Sequence, residues 1–246
     1  MEIGSFNAEQ RASPRCFLWV VASVLCTASS IQGQPSPSWK ESIAHGYLPY
    51  HRLVKADFAI NNKAHPESAM TTSVFCNYSY KCAVTENDFL WNSIIGDGNL
   101  TSETKAAAPT RGFTARVREW KIRSGINRNK SSRKSWYKDL EWGLAHEQGH
   151  LDINELHSRR LADIGLDMLP IGEGATVEDA TNDLATKLKA FAAKALKDSF
   201  IEQEAYDAKT VHGTDRPRQM AARAAIQKRL KEAGITYTNQ LSGQAE

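Results

Sequence analysis

Apolar residues along this chain follow two different rhythms. Between residues 47 and 126 they come in short runs rich in β-branched and aromatic side chains: Leu53-Val54, Phe58 to Ile60, residues 73–80 and residues 113–122. The last run alternates, with Val117 on one face and Arg116 and Arg118 on the other, the period-2 pattern of a half-buried strand. From Trp136 onward the spacing becomes helical. Leu140, Leu144, Leu151 and Leu156 recur at near-helical intervals without a proline, which predicts a helix over residues 136–161. Ser135 or Asp139 would cap its start and Gly165 its end. A second helix is predicted to begin near Thr176, where Thr-Val-Glu-Asp resembles a capping arrangement, and to reach Thr210, with room for a break. A third, over residues 216–233, ends at Gly234. The predicted fold is α+β: one domain over residues 46–240, with a strand-rich antiparallel part (46–134) followed by a helical part (135–240). No internal repeat is present.

Composition sets few limits. The chain has 246 residues, 41% of them apolar or aromatic, so a sizeable core is available. A net charge of +3 gives no argument for a nucleic-acid partner. The N-terminus changes the picture more. Arg11 and Arg15 precede an apolar run over residues 16–26, and small residues follow at Thr27-Ala28-Ser29-Ser30. That order reads as a signal peptide over residues 1–30, with an uncleaved anchor as the alternative. Export to a secreted or periplasmic location is therefore expected, without stable membrane insertion once the signal is removed. Residues 31–45 read as a flexible lead-in. Cys76 and Cys82 lie outside the signal, and in an oxidising compartment they are expected to form a disulfide. Residues 111–138 carry many Lys and Arg, among them Arg128, Lys130, Arg133 and Lys134. Interleaved Ser, Asn and Gly favour a solvated loop or hairpin tip over an acidic-partner site.

The chemistry concentrates in His146-Glu147-Gln148-Gly149-His150, which fits H-E-x-x-H. On a helix, residues four apart stand one turn above each other, so both imidazoles project from one face toward one Zn²⁺, with Glu147 beside them as candidate general base. The glycine and histidine that one zincin subclass places three and six residues further on are replaced by Ile153 and Leu156, and His157 is one residue out of step. A catalytic zinc site needs a third protein ligand. Residues 200–213 offer candidates. If they are helical, Phe200, Glu204, Asp207 and Val211 fall on one stripe, and acidic side chains on an inward face need a partner or a metal. Asp207 is preferred, with Glu204 and His212 as alternatives. Glu202 falls on another side and reads as solvated.

The run LAHEQGHLDINELHSRRL over residues 144–161, followed by YDAKTVHG over residues 206–213, resembles a family of predicted secreted bacterial zinc-dependent proteases, the DUF922 family. Its members carry an HEQGH-type helix and a Y-D-x-x-T-x-H-G element, matched here by Tyr206, Asp207, Thr210, His212 and Gly213. Ser135-Trp136 ahead of the helix also fits. The resemblance spans residues 135–213. It implies a zincin-like metallopeptidase with one zinc ion and a peptide or protein substrate. Asp207 would complete the ligand set of His146 and His150. His212 or Tyr206 would donate a hydrogen bond to the oxyanion. Thr210 would brace the turn, and Gly213 would take a left-handed conformation. Residues 114–122 are a candidate edge strand for a bound peptide, or an internal strand of the sheet. Two rivals stand beside this reading: a zinc amidase acting on cell-wall peptides, and a non-catalytic secreted module that keeps the metal for structure.

Overall fold

In a computed structural model of the protein, residues 39–63, 68–88 and 111–237 are described. The signal-like segment lies outside them, as do Gly96-Asp97-Gly98 and Ala108-Pro109, which read in sequence as turns. The described chain opens with a short helix, α1 (Trp39–Ala44), inside the stretch expected to be a flexible lead-in. Strands follow: β1 (Tyr47–Pro49), β2 (Ala59–Ile60), β3 (Met70–Thr71), β4 (Val74–Asp88), β5 (Arg111–Asn127) and β6 (Ser132–Arg133). Then come α2 (Leu140–Ala162), β7 (Gly172–Gly174), α3 (Val177–Thr210) and α4 (Arg216–Glu232). The fold is α+β, with strands first and helices after. β7 alone returns from the helical half to the sheet.

The main sheet is antiparallel and built on β5. β4 pairs with it from end to end, while β1 and β7 share its other side at opposite ends. Residues 113–115 thus have a strand on both sides, whereas among the described residues no strand pairs with residues 116–124 on the side away from β4. A smaller sheet has the order β2-β6-β3, with β2 parallel to β6. Arg118 has no partner on β4, since Lys81 pairs with Glu119 and Cys82 with Val117. The extra residue shifts the phase of β5. Phe113, Ala115 and Val117 face the helices before the bulge, and Trp120, Ile122 and Ile126 after it. Without the bulge, strict alternation would turn Trp120 and Ile122 to solvent.

That geometry rules out the expected disulfide. Cys76 and Cys82 are six residues apart on the extended β4, roughly 20 Å along the strand. A disulfide needs Cα atoms about 4.4–6.8 Å apart. Both thiols are free, and both pack toward the helices. The basic stretch is corrected too. Most of it is strand, and Arg133 and Lys134 are buried, with the Lys134 ammonium donating to the Asn62 carbonyl (2.9 Å). The turn at Arg128, Asn129 and Lys130 is solvated as expected, and Arg116, Arg118 and Lys121 are exposed along the strand.

The helices start and stop close to where the sequence places them. Asp139 precedes α2 and Asp163 follows it, whereas Gly165 opens a separate 3-10 turn. Thr176 caps α3, its hydroxyl accepting from Asp179 N–H, and the helix then runs unbroken for 34 residues. Asp215 caps α4 through Arg218 N–H. Ala222, Ile226 and Leu230 turn one stripe of α4 toward α2. Among the described residues, no helix is long and apolar enough to cross a membrane.

Glu202, expected to be solvated, ties three helices together. Its carboxylate accepts from His157 Nε2 on α2 (2.9 Å) and from Arg229 Nη2 on α4 (3.0 Å). The His157 hydrogen bond leads in holding the carboxyl down to about 2 from an ordinary 4.5, with Arg229 adding to it against the opposing effect of burial. A carboxyl whose folded pKa is depressed stabilises the fold above its unfolded pKa and loses that contribution as pH falls through the folded value. Glu202→Gln should lower stability at pH 7 by about 1–3 kcal/mol. It should also flatten the loss of stability between pH 4.5 and 2. Urea denaturation of both proteins across that window measures it, and parallel acid limbs would show that the triad contributes nothing.

Candidate metal centre

Helix α2 runs through the interior, and every residue from His146 to Leu156 is buried. His146 and His150 stand one turn apart, with ring centroids 5.0 Å from each other. Their facing atoms converge on one carboxylate oxygen of α3. Asp207 Oδ1 lies 3.1 Å from His146 Nε2 and 3.0 Å from His150 Nε2, and the two Nε2 atoms are 3.3 Å apart. Three ligand atoms each about 2.0–2.1 Å from one tetrahedral metal ion would be separated by about 3.3–3.4 Å. The observed triangle is slightly tighter than that. Donor chemistry agrees with spacing: two imidazole nitrogens and a carboxylate oxygen form a set that holds a divalent transition metal. His146, His150 and Asp207 are thus a group able to hold a metal ion.

The electrostatics of the bare cluster follow from the same contacts. Burial works against the His150 imidazolium, but the hydrogen bond and charge of Asp207 outweigh it and the pKa moves up. Burial likewise opposes the Asp207 carboxylate, yet the two imidazoles hold its pKa well below the usual carboxylate range. A cation is what this carboxylate is arranged to face.

The stripe on α3 is one residue out of step with the sequence reading. The buried positions are Ala180, Leu184, Leu188, Ala192, Leu196, Ser199, Gln203, Tyr206 and Thr210. Leu184 and Leu188, packed against the sheet, set this phase upstream. Glu204 and Val211 consequently point to solvent, and Glu204 is no ligand. Asp207 sits at the margin of the stripe, where its carboxylate reaches inward.

Tyr206 forms a wall of the site. Its ring stacks on His146 (5.1 Å, 19°) and meets His150 edge-on (5.2 Å, 88°). Its hydroxyl is buried and donates to the His146 carbonyl (3.2 Å). Burial leads in raising its pKa well above that of an ordinary phenol. His212 is not among the three clustered ligands. Its side chain is 59% exposed, and Nδ1 stands 3.8 Å from Asp207 Oδ2, at the solvent side of the cluster. Glu147 is buried beside the histidines, and its charge acts on His150, Tyr206 and Tyr137. Among the described residues its carboxylate accepts no hydrogen bond.

Helix α3 ends in a left-handed turn in which Val211, His212 and Gly213 have φ of 52°, 52° and 79°. Two non-glycine residues at positive φ, one of them β-branched, are strained. Thr210 braces the turn: its hydroxyl donates to Tyr206 O (2.9 Å) and accepts from Gly213 N–H (3.2 Å). Trp142 Nε1 donates to the Gly213 carbonyl (2.6 Å), locking the turn onto α2. A Cβ on Gly213 would stand 2.9 Å from His146 Nδ1. Gln203, Gln219 and Trp142 carry no motif, yet all three pack close to the cluster or its closing turn. The one available signal was the position of Gln203 a helical turn before Asp207.

Comparisons with protein-family models, with curated proteins and with solved structures returned no match.

The glycine of the HEQGH run has a steric cause. A Cβ at Gly149 would lie 2.4 Å from the Tyr206 hydroxyl oxygen and Cζ, so Tyr206 can stack on α2 only over glycine. Gly149→Ala should displace Tyr206 and with it the backing of both histidines, lowering stability by about 1–3 kcal/mol, the usual effect of overpacking. Chemical denaturation gives the loss, and tyrosine–histidine NOEs give the displacement. Unchanged contacts at unchanged stability would contradict the packing argument.

Proposed function

We propose that this chain is an exported zinc-dependent peptidase, with His146, His150 and Asp207 as the zinc ligands and Glu147 as the general base. One observation carries the reading: three ligand atoms converge within 3.0–3.3 Å next to a buried, unbridged carboxylate. Three protein ligands match a catalytic site better than a structural one, which closes with a fourth. Among the described residues only these three groups cluster in metal-binding geometry. This weighs against the non-catalytic module. The resemblance of the two motifs to the secreted protease family points the same way.

Zinc, when bound, supplies a Lewis acid that polarises a carbonyl and makes water acidic enough to attack near neutral pH. The chain's own residues do the rest. Glu147 takes a proton from the attacking water as its oxygen bonds to the peptide carbon. It returns that proton to the nitrogen as the C–N bond breaks, leaving a carboxylate and an amine. Its carboxylate, without a competing donor, is free to accept. His212, exposed at the mouth beside Asp207 Oδ2, is the residue best placed to donate to the carbonyl oxygen as negative charge develops there. Tyr206 and Gly149 keep the imidazoles facing Asp207.

Two variants separate binding from chemistry. Asp207→Ala should lose zinc, whereas Glu147→Gln should keep one equivalent and lose peptidase activity by at least 10²-fold, the contribution typical of a general base. Metal analysis after dialysis, beside hydrolysis of a panel of unfolded proteins and peptidoglycan peptides, reads both. His212→Ala should bind zinc normally and lose rate. Normal zinc in Asp207→Ala with loss in His212→Ala would reverse the ligand assignment, and full activity in Glu147→Gln would remove Glu147 from the mechanism.

A further inference from the structure

Each ligand histidine turns its second ring nitrogen inward. His146 Nδ1 and His150 Nδ1 are both buried without a hydrogen-bond partner. Two buried glutamines have the complementary vacancy. Gln203 is 1% exposed and donates its amide to Ser199 Oγ (3.2 Å). Gln219 is fully buried and donates to the Trp142 carbonyl (3.3 Å). Gln203 Oε1 and Gln219 Oε1 have no partner. These four atoms are half of the eight such atoms among the described residues. An unpaired buried polar group costs about 1–3 kcal/mol, so four gathered around one cluster call for a common cause.

The geometry points to Gln203 and Gln219 as the positioning residues of the metal centre, Gln203 accepting from His150 Nδ1–H and Gln219 from His146 Nδ1–H. The inference rests on the zinc-site reading. The chemistry is forced in sequence. Both Nε2 atoms face Asp207, so they are the metal-binding nitrogens. A neutral imidazole that ligates through Nε2 carries its proton on Nδ1, and that proton needs an acceptor. Gln203 stands one helical turn before Asp207, so one face of α3 presents both a ligand and the group that orients another ligand. Its side chain lies beside the His150 ring. Gln219 reaches His146 where Gly213 leaves room. A Cβ on that glycine would stand 2.9 Å from His146 Nδ1 and 3.0 Å from Gln219 Oε1, so both atoms line the same gap. The strained turn that ends α3 thus keeps Gly213 in the one place where a side chain would part the pair. Carbonyl acceptors of this kind fix ring tautomer and orientation and typically change metal affinity 10–100-fold when removed.

The test uses the full mature chain loaded with Zn²⁺. Gln203→Met and Gln219→Met remove the acceptor at similar volume, and Gln203→Glu keeps one. Chelator competition gives the affinity, and ¹⁵N-histidine NMR of the loaded protein detects the Nδ1–H groups directly. Wild type should show two slowly exchanging ring N–H protons. Each Met variant should lose the slow exchange of one, His150 for Gln203 and His146 for Gln219, and bind zinc 10–100-fold more weakly. Gln203→Glu should stay within a few-fold of wild type. Fast exchange of both protons in wild type itself, or Met variants with unchanged affinity and exchange, would overturn the inference and leave the zinc site standing. Failure of wild type to bind zinc would overturn both.

Discussion

Everything in this fold depends on burying a polar helix. α2 is enclosed by the sheet, by α3, by α4 and by the segment around Tyr50 to Phe58, yet much of its buried surface is polar. Beyond the metal-facing pair, its buried Gln148, Asp152, Asn154 and Glu155 each have partners. Gln148 accepts from Leu53 N–H (2.7 Å) and donates to Asp152 (2.8 Å). Asp152 also accepts from Tyr50 (3.0 Å), Arg223 (2.5 Å) and Tyr237 (3.1 Å). Asn154 donates to the Phe75 carbonyl on β4 (2.9 Å). Glu155 accepts from Ser124 on β5 and from Arg159. A rotation of α2 would break most of these bonds together, each at a cost of about 1–3 kcal/mol. These bonds fix which face of α2 carries His146 and His150, and Tyr206 packs against both rings from α3.

The second constraint comes from α3. A single unbroken helix carries the apolar ridge that covers the sheet at its start and the carboxylate of the site at its end. Its leucines set the phase, and that phase decides that Tyr206 packs inward, Asp207 reaches the histidines and Glu204 meets solvent. The left-handed turn then reverses the chain tightly enough for Gly213 to lie against His146 and for α4 to lean on α2. Strain at Val211 and His212 is tolerated because Thr210, Trp142 and the first turn of α4 hold the turn on three sides. A site held on two packed helices is preorganised, with little left for a ligand to rearrange.

The helices were legible because their signals are local. The cap at Thr176, the leucine spacing of α2 and the glycine at 234 all act within a few residues. His146, His150 and Asp207 were legible because charged and imidazole groups at helical spacing are uncommon on inward faces. What stayed hidden is non-local. The bulge at Arg118 exists only relative to β4, and it reverses the face of Trp120 and Ile122. The separation of Cys76 and Cys82 follows from their lying on one extended strand, which spacing in sequence does not reveal. The phase of α3 near Asp207 is inherited from Leu184 and Leu188, more than four turns away, so the stripe read locally was one residue off. Gln203, Gln219 and Glu202 look like surface residues until the helices they meet are known.

The most direct test is diffraction from crystals grown with Zn²⁺, recorded on both sides of the zinc absorption edge. The account predicts one strong anomalous peak about 2.0–2.2 Å from His146 Nε2, His150 Nε2 and an Asp207 oxygen, with the Glu147 carboxylate near but outside bonding distance. No peak there, or a peak whose third protein ligand is His212 or a fourth is Glu147, would contradict it.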